Sequence, residues 1–186
     1  MKVVEKRKKQ AKTIRSFRKV HRIMGATLFV FFFIISISSL LLGWKKNSFG
    51  ILLSKTQQGT SSELKKWLPL DSLHKMASTY LVDNISSDAS LKIERIDVRK
   101  NKGVVKFIFA NFYGVQLDGA TGKLLFIERR RSDFIEAIHD GSVLDVYFKT
   151  KGNPIKLAYT TIMSLSLLTF TITGFWLWLG PKRMRK

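Results

Sequence analysis

Residues 23–44 of this chain read IMGATLFVFFFIISISSLLLGW, a stretch with no charged residue and no proline. As a helix it would be roughly 33 Å long at about 1.5 Å per residue, close to the ~30 Å hydrocarbon core of a bilayer. Inside that slab every backbone N–H and C=O needs an internal partner, so the segment is expected to be an α-helix. A buried helix of a soluble domain is a poor rival, because such helices seldom stay apolar on every face for so many turns. A cleaved signal peptide is the better rival, but two features argue against it. The run exceeds the usual ~7–15 residues of a signal core, and Gly43-Trp44-Lys45-Lys46 is not a small-x-small cleavage site. The sequence therefore predicts a membrane anchor.

A second uncharged run, LAYTTIMSLSLLTFTITGFWLWL, covers residues 157–179. It follows Gly152-Asn153-Pro154, which is loop chemistry. It ends on Trp176 and Trp178 before Gly180-Pro181-Lys182-Arg183, as spans end at an interface. The second run is rich in Ser and Thr, and Ser36, Ser38 and Ser39 echo this on the first. Such hydroxyls either bond across to a neighbouring helix or back to their own backbone. The formal net charge is +20, which in a soluble protein would point to nucleic acid. The distribution argues otherwise. Ten of the 33 basic residues lie in residues 1–22 and four in residues 181–186, flanking the apolar runs as the positive-inside rule requires. Nucleic acid is not an expected partner, since only Phe17 in the basic arm could stack on a base. The lipid bilayer is. With two spans and two basic tails, both termini are expected in the cytoplasm and residues 45–156 outside. The chain has no cysteine, so disulfides, iron–sulfur clusters and thiol chemistry are excluded.

The segment between the spans is long enough for a small core of its own. Residues 45–64 are polar and read as a linker or loose turn. Pro69-Leu70-Asp71-Ser72 opens a helix with Leu73, Met76, Ala77, Tyr80 and Leu81 on one face, broken at Asn84–Asp88. Alternating runs follow: Leu91 and Ile93, then Ile96 and Val98; Val105, Phe107 and Phe109; Val115-Gln116-Leu117; and 123–128. They are separated by turn signals at Asn101-Lys102-Gly103 and Asp118–Gly122. A second helix is expected near Ser132–Asp140. The predicted class is an α+β membrane protein: two transmembrane helices flank a helix, an antiparallel meander of about four strands, and a helix. The expected parts are a basic arm (1–22), span one (23–44), a linker (45–64), the outer domain (65–140), a linker (141–156), span two (157–179) and a basic tail (180–186).

Within this frame, Val115–Leu125 with its Asp118-Gly119-Ala120-Thr121-Gly122 turn resembles the D-x-x-T-G-x-(V/L) hairpin of PepSY domains. The flanks resemble the PepSY-associated transmembrane family. His21-Arg22-Ile23-Met24-Gly25 is similar to its H-R-W-L-G entry, and the helix ending His139-Asp140-Gly141 to its L-H-x-G helix. Gly174-Phe175-Trp176-Leu177-Trp178 with Pro181-Lys182-Arg183 is similar to its T-G-L-Y-L-W-x-P-R exit. The resemblance covers Val20–Arg183 and implies a bacterial cytoplasmic (inner) membrane protein with a PepSY-like domain outside. Larger reductase-like relatives imply membrane haem held by histidines in the reduction of siderophore-borne iron.

Three histidines are present. His74, beside Lys75, is expected to face solvent. On the resemblance, His139 is the better haem b ligand and His21 the second, imidazole being a suitable axial ligand. The plainer alternative is a histidine sitting at a membrane boundary. The topology puts His21 and His139 on opposite membrane faces, so one chain cannot clamp one haem between them. A homo-oligomer or another membrane subunit would be needed. No metalloprotease, nucleophile-elbow or phosphate-loop motif is present. Glu136 lies one turn from His139, as a tuning partner or a surface hydrogen bond, and Arg129-Arg130-Arg131 reads chiefly as a solvated run. The leading expectation is a non-enzymatic binding, regulatory or accessory subunit, with iron uptake as the context that the resemblance implies. A haem-dependent electron-transfer subunit is the alternative, and restraint of a secreted protease a third reading.

Overall fold

The computed structural model describes residues 2–86 and 90–185. The chain divides into two compact units, residues 1–40 with 137–186 and residues 41–136.

The first unit is built on two long helices, α1 (Lys2–Gly43) and α5 (Pro154–Arg185). Both are long and apolar enough to cross a membrane, and only 6% and 11% of their most apolar windows are buried. That exposure rules out the core of a soluble domain; these are surfaces for lipid. The basic arm is one continuous helix with the first apolar run, not a separate element. In the same way α5 continues through Pro181. Along the shared seam, α1 turns inward Ile14, Phe17, His21, Leu28, Ile35 and Ser38, the alternating three- and four-residue spacing of paired helices. Phe17 meets Trp176 and Phe31 meets Tyr159. A Cβ on Gly180 would lie 2.8 Å from Ile14 Cδ1, so the Ile14 side chain packs directly over this glycine. Most of the hydroxyls bond back to their own helix: Thr27, Ser36, Thr160, Thr169 and Thr171 each donate to a carbonyl one turn earlier.

The segment read as a linker at 141–156 contains a further helix, α4 (Ser142–Phe148). Its buried Asp145 accepts the Thr150 hydroxyl and the backbone N–H groups of Ile155 (3.1 Å) and Lys156 (2.7 Å). Those amides belong to the first turn of α5, where they have no partner within the helix, and a carboxylate there also complements the helix dipole. Burial pulls the Asp145 carboxyl up, but the bonds from Thr150, Lys156 and Ile155 outweigh it and hold it below the usual carboxylate range. Asp145→Ala is accordingly expected to lower the unfolding temperature of the detergent-solubilised protein by several degrees, with Asp145→Asn between it and wild type. An unchanged melting curve for the alanine variant would show that the cap contributes nothing.

The second unit is an antiparallel meander, β1 (Ile93–Arg99), β2 (Val104–Phe109), β3 (Tyr113–Asp118) and β4 (Leu124–Arg129), in that spatial order. Helix α2 (Leu70–Asn84) covers one face. Leu73, Ala77 and Leu81, spaced one turn apart, bury against Val105, Phe107, Phe109, Val115 and Leu117. These are the expected core positions, although Met76 is 37% exposed. The break expected at Asn84–Asp88 begins where α2 ends, and its last two residues lie outside the described residues. Helix α3 (Arg131–His139) follows β4 in place of the predicted 132–140 helix and runs across the boundary between the units.

The opposite sheet face is where expectation and structure part. Residues 51–61, read as a linker, lie across it as a strap. Gln57 N–H donates to Gln116 Oε1, Gln116 Nε2 to Lys55 O, Thr60 N–H and hydroxyl to Asp118, and Ser132 N–H to Leu52 O. Gly59 crosses so close to Gly103 that a Cβ on Gly59 would lie 2.2 Å from the Gly103 carbonyl oxygen. The strap explains why all of β2 is buried: helix on one side, strap on the other.

Candidate functional site

The two membrane helices carry the histidines. His21, on α1, places Nδ1 2.9 Å from Thr173 Oγ1 on α5, and its ring stacks on Phe170 with centroids 3.8 Å apart. His139, at the end of α3, places Nδ1 2.9 Å from Ser38 Oγ on α1. Both hydroxyl residues are buried. Each hydroxyl has a single proton, and both sit within reach of carbonyls one turn back in their own helix. Thr173 Oγ1 lies 2.9 Å from Thr169 O and 3.0 Å from Phe170 O; Ser38 Oγ lies 2.7 Å from Ile34 O and 3.0 Å from Ile35 O.

One tautomer satisfies every group here: with the hydroxyl proton given to the helix carbonyl, the oxygen would accept from the ring, Nδ1 would donate and Nε2 would carry the lone pair. A ligating imidazole characteristically donates its other ring N–H in this way, fixing ring orientation and raising ligand basicity. The donor set therefore suits iron ligation by Nε2. The two sites do not converge: His21 and Ser38 are 17 positions apart on one helix, about 25 Å of rise.

Other sequence-derived candidates are placed differently. His74 is half-buried and stacks on Phe107, with centroids 6.1 Å apart, where solvent was expected. Glu136 lies 4.0 Å from Lys45 and has no bond to His139. The Arg129–Arg131 run is not simply solvated: Arg130 is 6% exposed and its guanidinium holds Glu128 and Asp133. The hydroxyl partners of the histidines were beyond sequence reasoning, although Ser38 and Thr173 both belong to the hydroxyl-rich runs that it singled out. Among the described residues no cluster of three or more His, Cys, Asp or Glu could hold a metal ion.

Fold and site together define a membrane protein whose two candidate spans flank a strapped α+β domain in the sequence, with one hydroxyl-anchored histidine toward each end of the helix pair. The PepSY-associated TM region family matches residues 3–180, and the chain belongs to that family. No curated protein and no solved structure matches it.

Proposed function

We propose that this protein is a haem-binding subunit of a membrane electron-transfer system, in which His139 and His21 would each hold a haem at a separate site. The observation that carries this reading is the pair of Nδ1–hydroxyl bonds, which leave both Nε2 lone pairs available. Haem, when bound, supplies one-electron redox chemistry. The chain's own residues do the rest. Thr173 and Ser38 hold the tautomer, Phe170 fixes the plane of the His21 ring, and the lipid-facing helices keep water from both sites. Since the two histidines are far apart, the second ligand at each site comes from another chain, and a homodimer satisfies both at once. The basic tails favour an orientation with both termini in the cytoplasm and the strapped domain outside a bacterial inner membrane. Family resemblance supports ferric iron delivered from outside as the electron acceptor. Binding without redox chemistry is favoured by a different observation, a cationic cavity in the strapped domain described below.

The test is a reduced-minus-oxidised visible spectrum of the full-length protein, purified in detergent with haem supplied. A b-type signal is expected, reduced by either His139→Ala or His21→Ala and absent in the double variant. Ser38→Ala, which removes only the orienting oxygen, is expected to weaken haem retention at the His139 site by about tenfold or more. A colourless wild-type protein, or a spectrum indifferent to both histidines, would refute the proposal.

A further inference from the structure

The polar face of the sheet carries an open cavity of about 450 Å³, bounded by the strap, β1, β2 and the start of α3. Six cationic side chains line it against three carboxylates. Two of the cations are held closely: Arg130 by Glu128 and Asp133, and Arg95 by Asp97 at 3.0 Å. Lys45 and Arg99 reach a carboxylate only at 4.0 and 3.8 Å, and Lys46 has no ion pair among the described residues.

Lys106 is the telling residue. Its side chain is 5% exposed, yet its ammonium has one ionic neighbour, Glu128 Oε1 at 3.8 Å, which is beyond hydrogen-bonding distance and already taken by Arg130 at 3.2 Å. An ammonium has three donors, and those of Lys106 face the cavity, with no carboxylate oxygen at hydrogen-bonding distance. Burial pulls the Lys106 ammonium below the usual lysine range, with the Glu128 charge only partly opposing it.

We propose that this cavity is a binding site for a small oxyanion, a ligand bearing phosphate or carboxylate groups, with Lys106 at its floor and Arg99 and Lys46 closing over it. An anionic oxygen would supply the charge-assisted bonds that Lys106 lacks. Four cations without a close carboxylate partner favour a ligand with two or more negative charges, and the volume admits one larger than inorganic phosphate. The same chemistry is offered by a dissolved anion and by a phospholipid headgroup. This site shares no residue with the histidine sites and stands whether or not haem is bound.

The experiment titrates the full-length protein, in an uncharged detergent at low salt, with inorganic phosphate and with citrate. In parallel it compares phosphatidylcholine nanodiscs with and without phosphatidic acid. Saturable binding is expected, weakened about tenfold or more by Lys106→Met and about threefold by Arg99→Gln. Arg99→Gln alters an exposed side chain, so its unchanged melting curve separates lost binding from lost folding. A response to the dissolved anions assigns a free ligand; a response to phosphatidic acid alone, abolished by Lys106→Met, assigns a headgroup. The proposal fails if no probe saturates, or if both variants bind as the wild type does.

Discussion

Arg130→Met is expected to destabilise the strapped domain by about 3–5 kcal/mol, the usual cost of removing one partner from a buried charge pair. The guanidinium donates from Nη1 to Glu128 Oε1 at 3.2 Å and from Nε and Nη2 to the two Asp133 oxygens at 2.6 and 3.0 Å. Glu128 is 3% exposed, and its Oε2 has no hydrogen bond. Without Arg130 its remaining cation is Lys106 at 3.8 Å. The methionine is similar in length and apolar, so the loss reports the orphaned carboxylate and not a cavity. Arg130→Lys should recover only part of the loss, because a point charge cannot reproduce a fork onto two acids. Pairing Arg130→Met with Glu128→Gln should restore more, since the orphaned charge is then gone. Chemical denaturation of the detergent-solubilised protein, followed by tryptophan fluorescence from Trp67 in this domain, gives the comparison. A single variant within about 1 kcal/mol of wild type would mean that water already solvates Glu128.

Asp118→Ala is expected to cost about 3 kcal/mol and to release the strap. One carboxylate does two jobs here. Oδ1 accepts from Ala120 and Thr121 N–H, closing the turn between β3 and β4, while Oδ2 accepts the Thr60 N–H and hydroxyl and pins the strap. Burial pulls the Asp118 carboxyl up, but its bonds to Thr60, Ala120 and Thr121 outweigh that and hold it below the usual carboxylate range. A depressed folded-state pKa means the stabilisation is complete above the unfolded value of about 3.9 and is lost as pH falls through the folded value. The wild-type domain should therefore lose stability in acid more steeply than Asp118→Asn. Limited proteolysis gives an independent reading: cleavage within 51–61 should accelerate in Asp118→Ala while the sheet core stays protected. Equal acid sensitivity in wild type and Asp118→Asn would remove the carboxylate from this account.

Much of this architecture was legible before the structure. Leu73, Ala77 and Leu81 sit one turn apart, and Val105, Phe107 and Phe109 alternate, so the helix and the strand announce their core faces. Lys106, Gln116, Asp118 and Glu128 lie on the opposite face and are all buried, with residues 51–61 bonded there to Gln116 and Asp118. A segment of Gly, Ser, Thr and Gln carries no periodicity that would reveal such a role. The Arg129–Arg131 run misled for a related reason: position 130 differs from its neighbours only in the acids that the fold brings to it.

By itself the sequence determined two membrane-spanning helices, an antiparallel meander with one helix over its hydrophobic face, and membership of a family whose motifs stand in order along the chain. Each of those is written in local patterns: uncharged runs long enough for a bilayer, period-two alternation and short turn signals. Only the tertiary structure decided which polar groups meet. His21 finds Thr173 across 152 positions, His139 finds Ser38 across 101, and Thr60 finds Asp118 across 58. Hydrogen bonds and ion pairs act over a few ångströms in space and leave no periodic trace along the chain. The hydroxyl partners of the histidines, the strap and the cationic cavity therefore became visible only once the helices and strands were packed.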